Sequence, residues 1–160
     1  MKKLVLALLI ALFLLGSAAM AEDVVSSASV SDSFAQFALT GDDLMNAINT
    51  FSGTYVVTTV NPDGTPNAAY FIFSMVKHGE EYYLQLGLAE NQSKANLLAN
   101  GNGLAVYAAN PEEGAKPYAV AGARIRFVDI EDQTVVDALN ADAGRPGAMF
   151  FEIVEVKPLG

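Results

Sequence analysis

Four consecutive residues, Asn91, Gln92, Ser93 and Lys94, are the best suited to binding chemistry. They form a polar segment that opens a short helix expected over residues 93–100. The first N–H groups of a helix have no partner inside it, so a loop entering a helix can hold an anion, phosphate above all. Ser93 adds a hydroxyl donor and Lys94 a positive charge. The same residue types also serve a plainer purpose. Asn91 or Ser93 can simply cap the helix, with Lys94 a solvated helix residue.

Other residues offer less. Tyr70, Phe71, Phe73, Tyr82 and Tyr83 fall in two adjoining strands. They can stack on a flat ring, or supply core and interface surface. Asp42-Asp43, Glu80-Glu81 and Glu112-Glu113 are adjacent carboxylates in turns or caps, whereas acid–base work needs carboxylates that converge in space. With one histidine, His78, and no cysteine, multi-histidine and thiolate metal sites are excluded, as is thiol chemistry. His78 sits in a hairpin turn and is expected to be exposed. No Ser-His-Asp set assembles, and no P-loop is present.

The elements that must position these residues read mainly as β-structure. Leu44, Met45, Ile48 and Phe51 recur at helical spacing, behind a capping box of Thr40 and Asp43, and Gly53 ends that helix. Strands follow at 54–60 and 67–76, separated by the turn Asn61-Pro62-Asp63-Gly64. A third strand is expected at 81–88 and a fourth at 104–109. A fifth runs over 118–129, with Ala119, Ala121, Ala123, Ile125 and Phe127 on one face. A short helix at 134–141 and a sixth strand at 148–156 complete the chain. Six strands with hairpin-type connections and short helices predict a mainly antiparallel barrel or curled sheet.

Residues 1–21 read as an export signal. Lys2 and Lys3 precede an unbroken apolar run from Leu4 to Leu15, and Ala19-Met20-Ala21 offers a cleavage site before Glu22. The competing reading is a membrane anchor, but the run falls short of the roughly 20 apolar residues that span a bilayer. The expectation is Sec-type export to the periplasm or beyond, with no stable membrane insertion after cleavage. A small, polar linker over residues 22–39 then leads into one domain over 40–160. Loss of Lys2 and Lys3 takes the formal charge from −9 to −11. That balance argues against nucleic acid and anionic membranes as partners, since both reward clustered Lys and Arg.

Two segments carry a family resemblance. The first is Thr58 to Asn67. The second is Glu90 to Asn100, followed by the strand Leu104-Ala105-Val106-Tyr107. In this order and spacing they resemble the FMN-binding split β-barrel superfamily, which includes the pyridoxamine 5′-phosphate oxidases. Tyr118 to Ala123 resembles that family's Gly-centred fifth strand. The likeness spans roughly residues 40 to 158 and is nearest to the small bacterial FMN-binding proteins.

The resemblance implies a six-stranded antiparallel split β-barrel, a homodimer, and FMN in a cleft at the subunit interface. It assigns the cofactor to Asn91, Gln92, Ser93 and Lys94, with Tyr70 and Phe71 on the second strand. The chain departs from the oxidases at Ala69 and Ser74, where they carry Arg and Lys, and at Gln92-Ser93-Lys94, where they carry Ser-Arg-Lys. Only Lys94 keeps a phosphate cation in this stretch. These departures argue against pyridoxamine phosphate oxidation and leave flavin binding largely to amides and hydroxyls. Arg124 and Arg126 share a strand face and are either replacement charge or a solvated face paired with acids.

The implied function is an exported FMN-dependent redox protein acting on a small molecule or a redox partner. The alternative is a non-redox split-barrel binding module that has lost FMN and holds a small molecule or a haem-related ligand, with His78 the only imidazole able to meet iron.

Overall fold

The structure is a computed structural model that describes residues 32–114, 120–143 and 148–159. A 3-10 turn at Asp32–Phe37 leads into α1 (Gly41–Asn49). Seven strands follow: β1 (Thr54–Val60), β2 (Pro66–Tyr70), β3 (Phe73–His78), β4 (Glu81–Leu86), β5 (Asn102–Ala108), β6 (Gly122–Asp129) and β7 (Met149–Lys157). Two more helices interrupt them, α2 (Gln92–Asn100) before β5 and α3 (Gln133–Ala143) before β7.

The strands form one antiparallel sheet in the order β2-β1-β5-β6-β7-β4-β3. Its two edge strands, β2 and β3, are consecutive in the chain and joined only by Phe71 and Ile72. Three Cα–Cα steps span at most about 11 Å. The sheet therefore has to curl until its edges approach. Closure is made by the chain itself, not by a hydrogen-bond ladder, and the wall is split at that place. This corrects the expected count of six strands. The single strand expected over 67–76 is two strands on opposite edges. Its apolar run carries no local signal of the break.

Alternation along the strands separates inside from outside. β1 buries Tyr55, Val57 and Thr59 and turns Thr54, Val56, Thr58 and Val60 outward. The core collects these inward residues with Phe73, Met75, Leu84, Leu86, Tyr107, Ile125, Phe127 and Phe151. Leu44 and Ile48 of α1 and Leu97 of α2 join them. Each such large side chain contributes roughly 1.5–3 kcal/mol when fully buried. Tyr55 Oη donates to Ile48 O at 2.6 Å, and Tyr107 Oη lies 3.1 Å from Ala47 O and 3.0 Å from Ser52 O. The two phenols thus add a second bond to carbonyls of the last turn of α1, where Ile48 O also accepts from Phe51 N and Ala47 O from Thr50 N. Burial pushes both phenol pKa values up.

The start of α1 differs from expectation. Thr40 is the N-cap but makes no side-chain capping bond, so the capping box is not formed. The helix stops at Asn49, not near Gly53, and Phe51 lies beyond it with φ +55. Phe51 is therefore not part of the helical face and is largely exposed. It fills the left-handed position that usually ends a helix and usually belongs to Gly or Asn.

Among the described residues, a helix covers the outside of the barrel on one half only. Leu139 of α3 packs with Tyr83 and Phe150 on the outer face of β4 and β7, beside Val76 of β3. Among the described residues no helix lies on the outer face of β2, β1 and β5, and Tyr70, Val60 and Leu104 stand exposed there. Residues 118 and 119 of the expected fifth strand lie outside the described residues. Its described part begins at Gly122, which pairs with Ala108 and bridges Ala38. No helix among the described residues is long and apolar enough to cross a membrane.

Candidate functional site

The polar segment at residues 91–94 does open a helix. Asn91 is the N-cap of α2, in extended conformation, and its Oδ1 accepts from Lys94 N at 3.0 Å. Asn91 O accepts from Ala95 N. Of the four amides without a partner inside the helix, those of residues 91 to 94, Asn91 satisfies that of Lys94, and those of Gln92 and Ser93 are left without an acceptor among the described residues. Asn91 is a capping residue. The anion-binding capacity of this helix end rests on the next two amides.

Ser93 is buried, at 2% exposure, an unusual place for a serine in the first turn of a helix. Its Oγ accepts from Asn67 Nδ2 at 2.8 Å. Asn67 also donates to Thr59 Oγ1 at 3.1 Å, and Thr59 Oγ1 accepts from Asn96 Nδ2 at 3.0 Å. Asn96 Nδ2 reaches Asn61 Oδ1 at 2.9 Å, while Asn96 Oδ1 accepts from Gln92 Nε2 at 2.7 Å. One network therefore ties α2 to β1, to β2 and to the turn between them.

An ionised carboxylate at the end of this network sets the direction of its bonds. Asp63 can only accept, and Thr65 Oγ1 donates to it at 2.6 Å. Thr65 Oγ1 in turn accepts from Asn61 Nδ2 at 3.0 Å, which aims Asn61 Oδ1 at Asn96. The Thr65 hydroxyl, and then its amide, hold the Asp63 pKa below the ordinary carboxylate value. Further along, Asn67 Nδ2 donates to the two hydroxyl oxygens of Thr59 and Ser93. Ser93 therefore keeps its own hydrogen to give to a further acceptor.

Lys94 does not stand free. Its Nζ pairs with Glu90 Oε1, four residues earlier in the chain and just before the N-cap. Every Lys and Arg among the described residues has such a partner. Lys77 pairs with Asp42, Arg126 and Lys157 with Glu155, and Arg124 Nε donates to Pro158 O. Arg124 and Arg126 face outward beside β7, since they pair across strands with the outward residues Val106 and Leu104. They are engaged with β7 and the segment after it, not with the network at α2.

Tyr70 and Phe71 point opposite ways. Tyr70 is 80% exposed on the outer face, whereas Phe71 packs against the core. Only Tyr70 is placed to stack on a ligand. On β3, the other edge strand, Ser74 Oγ donates to Gln85 Oε1 at 2.9 Å, and both residues line a cleft of about 300 Å³. Phe51, Val76, Leu139 and Phe150 form part of its walls. His78 is half-buried as the last residue of β3, paired with Glu81, and not in the turn. Among the described residues no cluster of His, Asp and Glu could hold a metal ion.

Thr59, Asn61, Asn67 and Asn96 were not singled out from the sequence as site residues. A signal was present. Thr59 and Asn67 are polar residues at core-facing strand positions, and a polar group there has to find partners.

No family sequence model matches the chain, and no curated protein matches it. Solved structures do match. An FMN-binding protein from Syntrophomonas wolfei subsp. wolfei aligns over 73% of this chain and 84% of its own, at 17% identity and TM-score 0.52. The chain shares the fold of that protein, a split β-barrel. Group A Streptococcus HupZ aligns over 76% of this chain and 94% of its own, at 18% identity and TM-score 0.50. The split barrel is thus preserved where fewer than one residue in five is shared. In this fold, the edge strand β2 carries Asn67 to the N-terminus of α2.

Proposed function

We propose that the chain is an exported flavin-binding protein of the split-barrel type, taking FMN with its phosphate against the first turn of α2. The observation that carries this reading is the Asn67–Ser93 hydrogen bond. It joins the second-strand and loop-to-helix segments on which the family resemblance rests. The residues fit a phosphate. Ser93 has a hydroxyl hydrogen to give, the Gln92 and Ser93 amides have no acceptor among the described residues, and Lys94, in the same turn, carries a positive charge.

When bound, FMN supplies electron transfer in one- or two-electron steps. The chain's own residues hold and orient it. Ser93 and the two amides donate to the phosphate oxygens, and the exposed Tyr70 ring offers a stacking face on the neighbouring edge. A flavoprotein of this kind needs no acid–base cluster of its own. Its reaction is an oxidation or reduction of a small molecule, or electron exchange with a redox partner.

The proposal includes a homodimer. Tyr70, Ile72, Val60 and Leu104 are exposed large apolar residues, and the face of β2, β1 and β5 that holds three of them carries no helix among the described residues. A contiguous apolar face of this kind is a usual site of two-fold association. Export is proposed from the signal at residues 1–21, and an intact mass beginning at Glu22 in the exported fraction is the expected result.

A second reading, a binding module without redox activity, is favoured by one observation. The cation-bearing positions of the oxidases are Ala69 and Ser74 here, and Lys94 is paired with Glu90. Titration of the chain from Glu22 onward with FMN separates the two. Quenching of flavin fluorescence with a shifted, structured flavin absorbance supports the redox protein. Absence of any flavin binding leaves the module.

A further inference from the structure

Glu90 is the least expected residue at this helix end. Its side chain is 89% exposed, yet it reaches Lys94 Nζ, whose own side chain is only 26% exposed. Glu90 lies outside the helix, so the pair is a contact between the loop before the N-cap and the first turn. Glu90 also directly precedes the N-cap, where a negative charge gains from the helix dipole. Both gains, the cation and the dipole, are ones a phosphate at the same helix end would seek.

We infer that Glu90 is a built-in competitor for the phosphate subsite and sets how strongly this chain prefers a phosphorylated flavin over an unphosphorylated one. The inference rests on the flavin reading above. With Lys94 held by Glu90, the subsite recognises a ligand through neutral donors, the Ser93 hydroxyl and the Gln92 and Ser93 amides. A phosphate dianion must displace the Glu90 carboxylate to gain the cation, and it meets a like charge while doing so. No other described cation stands ready to compensate. Lys77, Arg126 and Lys157 are held by acids and Arg124 by a backbone carbonyl. The ribityl end of riboflavin carries no charge and is indifferent to the exchange.

The test is a set of fluorescence-quenching titrations with FMN and riboflavin, on the chain from Glu22 onward, at low and high salt. Glu90→Gln frees Lys94. It is expected to tighten FMN about tenfold, the increment of one charge-assisted hydrogen bond, and to leave riboflavin unchanged. The gain should shrink in high salt, as expected for an exposed charge. It should vanish when Lys94→Ala is combined with Glu90→Gln, because the coupling lies between those two side chains. Equal effects on FMN and riboflavin, or an FMN gain that survives loss of Lys94, overturn the inference while leaving the flavin reading intact. If the unsubstituted chain and Glu90→Gln bind neither flavin, the flavin reading falls and the inference falls with it. Glu90 is exposed and makes no core contact, so the substitution leaves folding undisturbed, which thermal unfolding of the variant checks.

Discussion

Asn67 and Ser93 stand 26 residues apart and are joined by a hydrogen bond of 2.8 Å between the Asn67 amide and the Ser93 hydroxyl oxygen. The bond holds the first turn of α2 against β2. It also leaves the Ser93 hydrogen for an outside acceptor, because the amide can only donate at that contact.

Asn67→Ala removes the donor shared by two buried hydroxyls, Thr59 and Ser93. The expected loss is about 1–3 kcal/mol of stability, as for a buried polar group deprived of its partner. Urea unfolding measures it. The FMN-to-riboflavin affinity ratio should also fall, since Ser93 is then free to turn its hydrogen inward. An unchanged unfolding midpoint would show that the network does not support the fold.

Tyr70→Glu and Leu104→Glu place a charge on the bare outer face of β2, β1 and β5. The unsubstituted chain is expected to run as a dimer in light scattering at micromolar concentration, and each variant as a monomer. Dimers that persist in both variants would move the interface to another face.

The Asp63 carboxyl has its pKa lowered by the Thr65 hydroxyl first and the Thr65 amide second. A group depressed in the folded state adds stability above its unfolded pKa and loses it as the pH falls through the folded pKa. The loss therefore lies on the acid side of the ordinary Asp value, 3.8. Thr65→Val removes the larger cause, so its unfolding temperature should depend less on pH between roughly 2 and 5 than that of the unsubstituted chain. Parallel pH dependences for the two would separate Asp63 from the stability of this turn.

Gly122 lies where β6 meets β5, with Ala38 bridged to it. A Cβ there would strike Tyr107 O, which is backbone and cannot swing aside. Gly122→Ala is expected to cost about 1–3 kcal/mol, the usual range for overpacking. Gly87→Ala, where a Cβ meets nothing within 4 Å and φ is not positive, is the control that should leave stability unchanged. Equal denaturation midpoints for Gly122→Ala and the unsubstituted chain would rule out the close approach.

Much of this architecture was legible in local pattern. The β-branched run Thr54 to Val60 marked β1 with the bounds that the structure shows, because such side chains suit a pleated, half-buried strand. The Asn61-Pro62-Asp63-Gly64 turn and the start of α2 were equally readable, since both depend on residues within a few positions of one another. The resemblance to the split barrel rested on those same segments and agrees with the fold.

Other features belong to distant contacts. Nothing between Tyr70 and Phe73 marks a break, since the run stays apolar and strand-like. The break exists because the two halves find partners on opposite edges of a curled sheet, β2 on β1 and β3 on β4. Phe51 fits the helical spacing of α1, yet it leaves the helix where Tyr55 and Tyr107 bond the last carbonyls. Tyr70 and Phe71 are equivalent as aromatic neighbours in sequence. Pleating around a closed core sends one to solvent and the other inward. By itself, the sequence determined the β-class, the turns, the helix that opens at Asn91 and the candidate anion-binding segment there, all through short-range spacing. Tertiary structure decided which polar side chains meet at that helix end and that Lys94 is held by Glu90. Thr59, Asn61, Asn67 and Asn96 become neighbours of α2 only when the barrel curls, and hydrogen bonds of about 3 Å register that proximity where sequence spacing cannot.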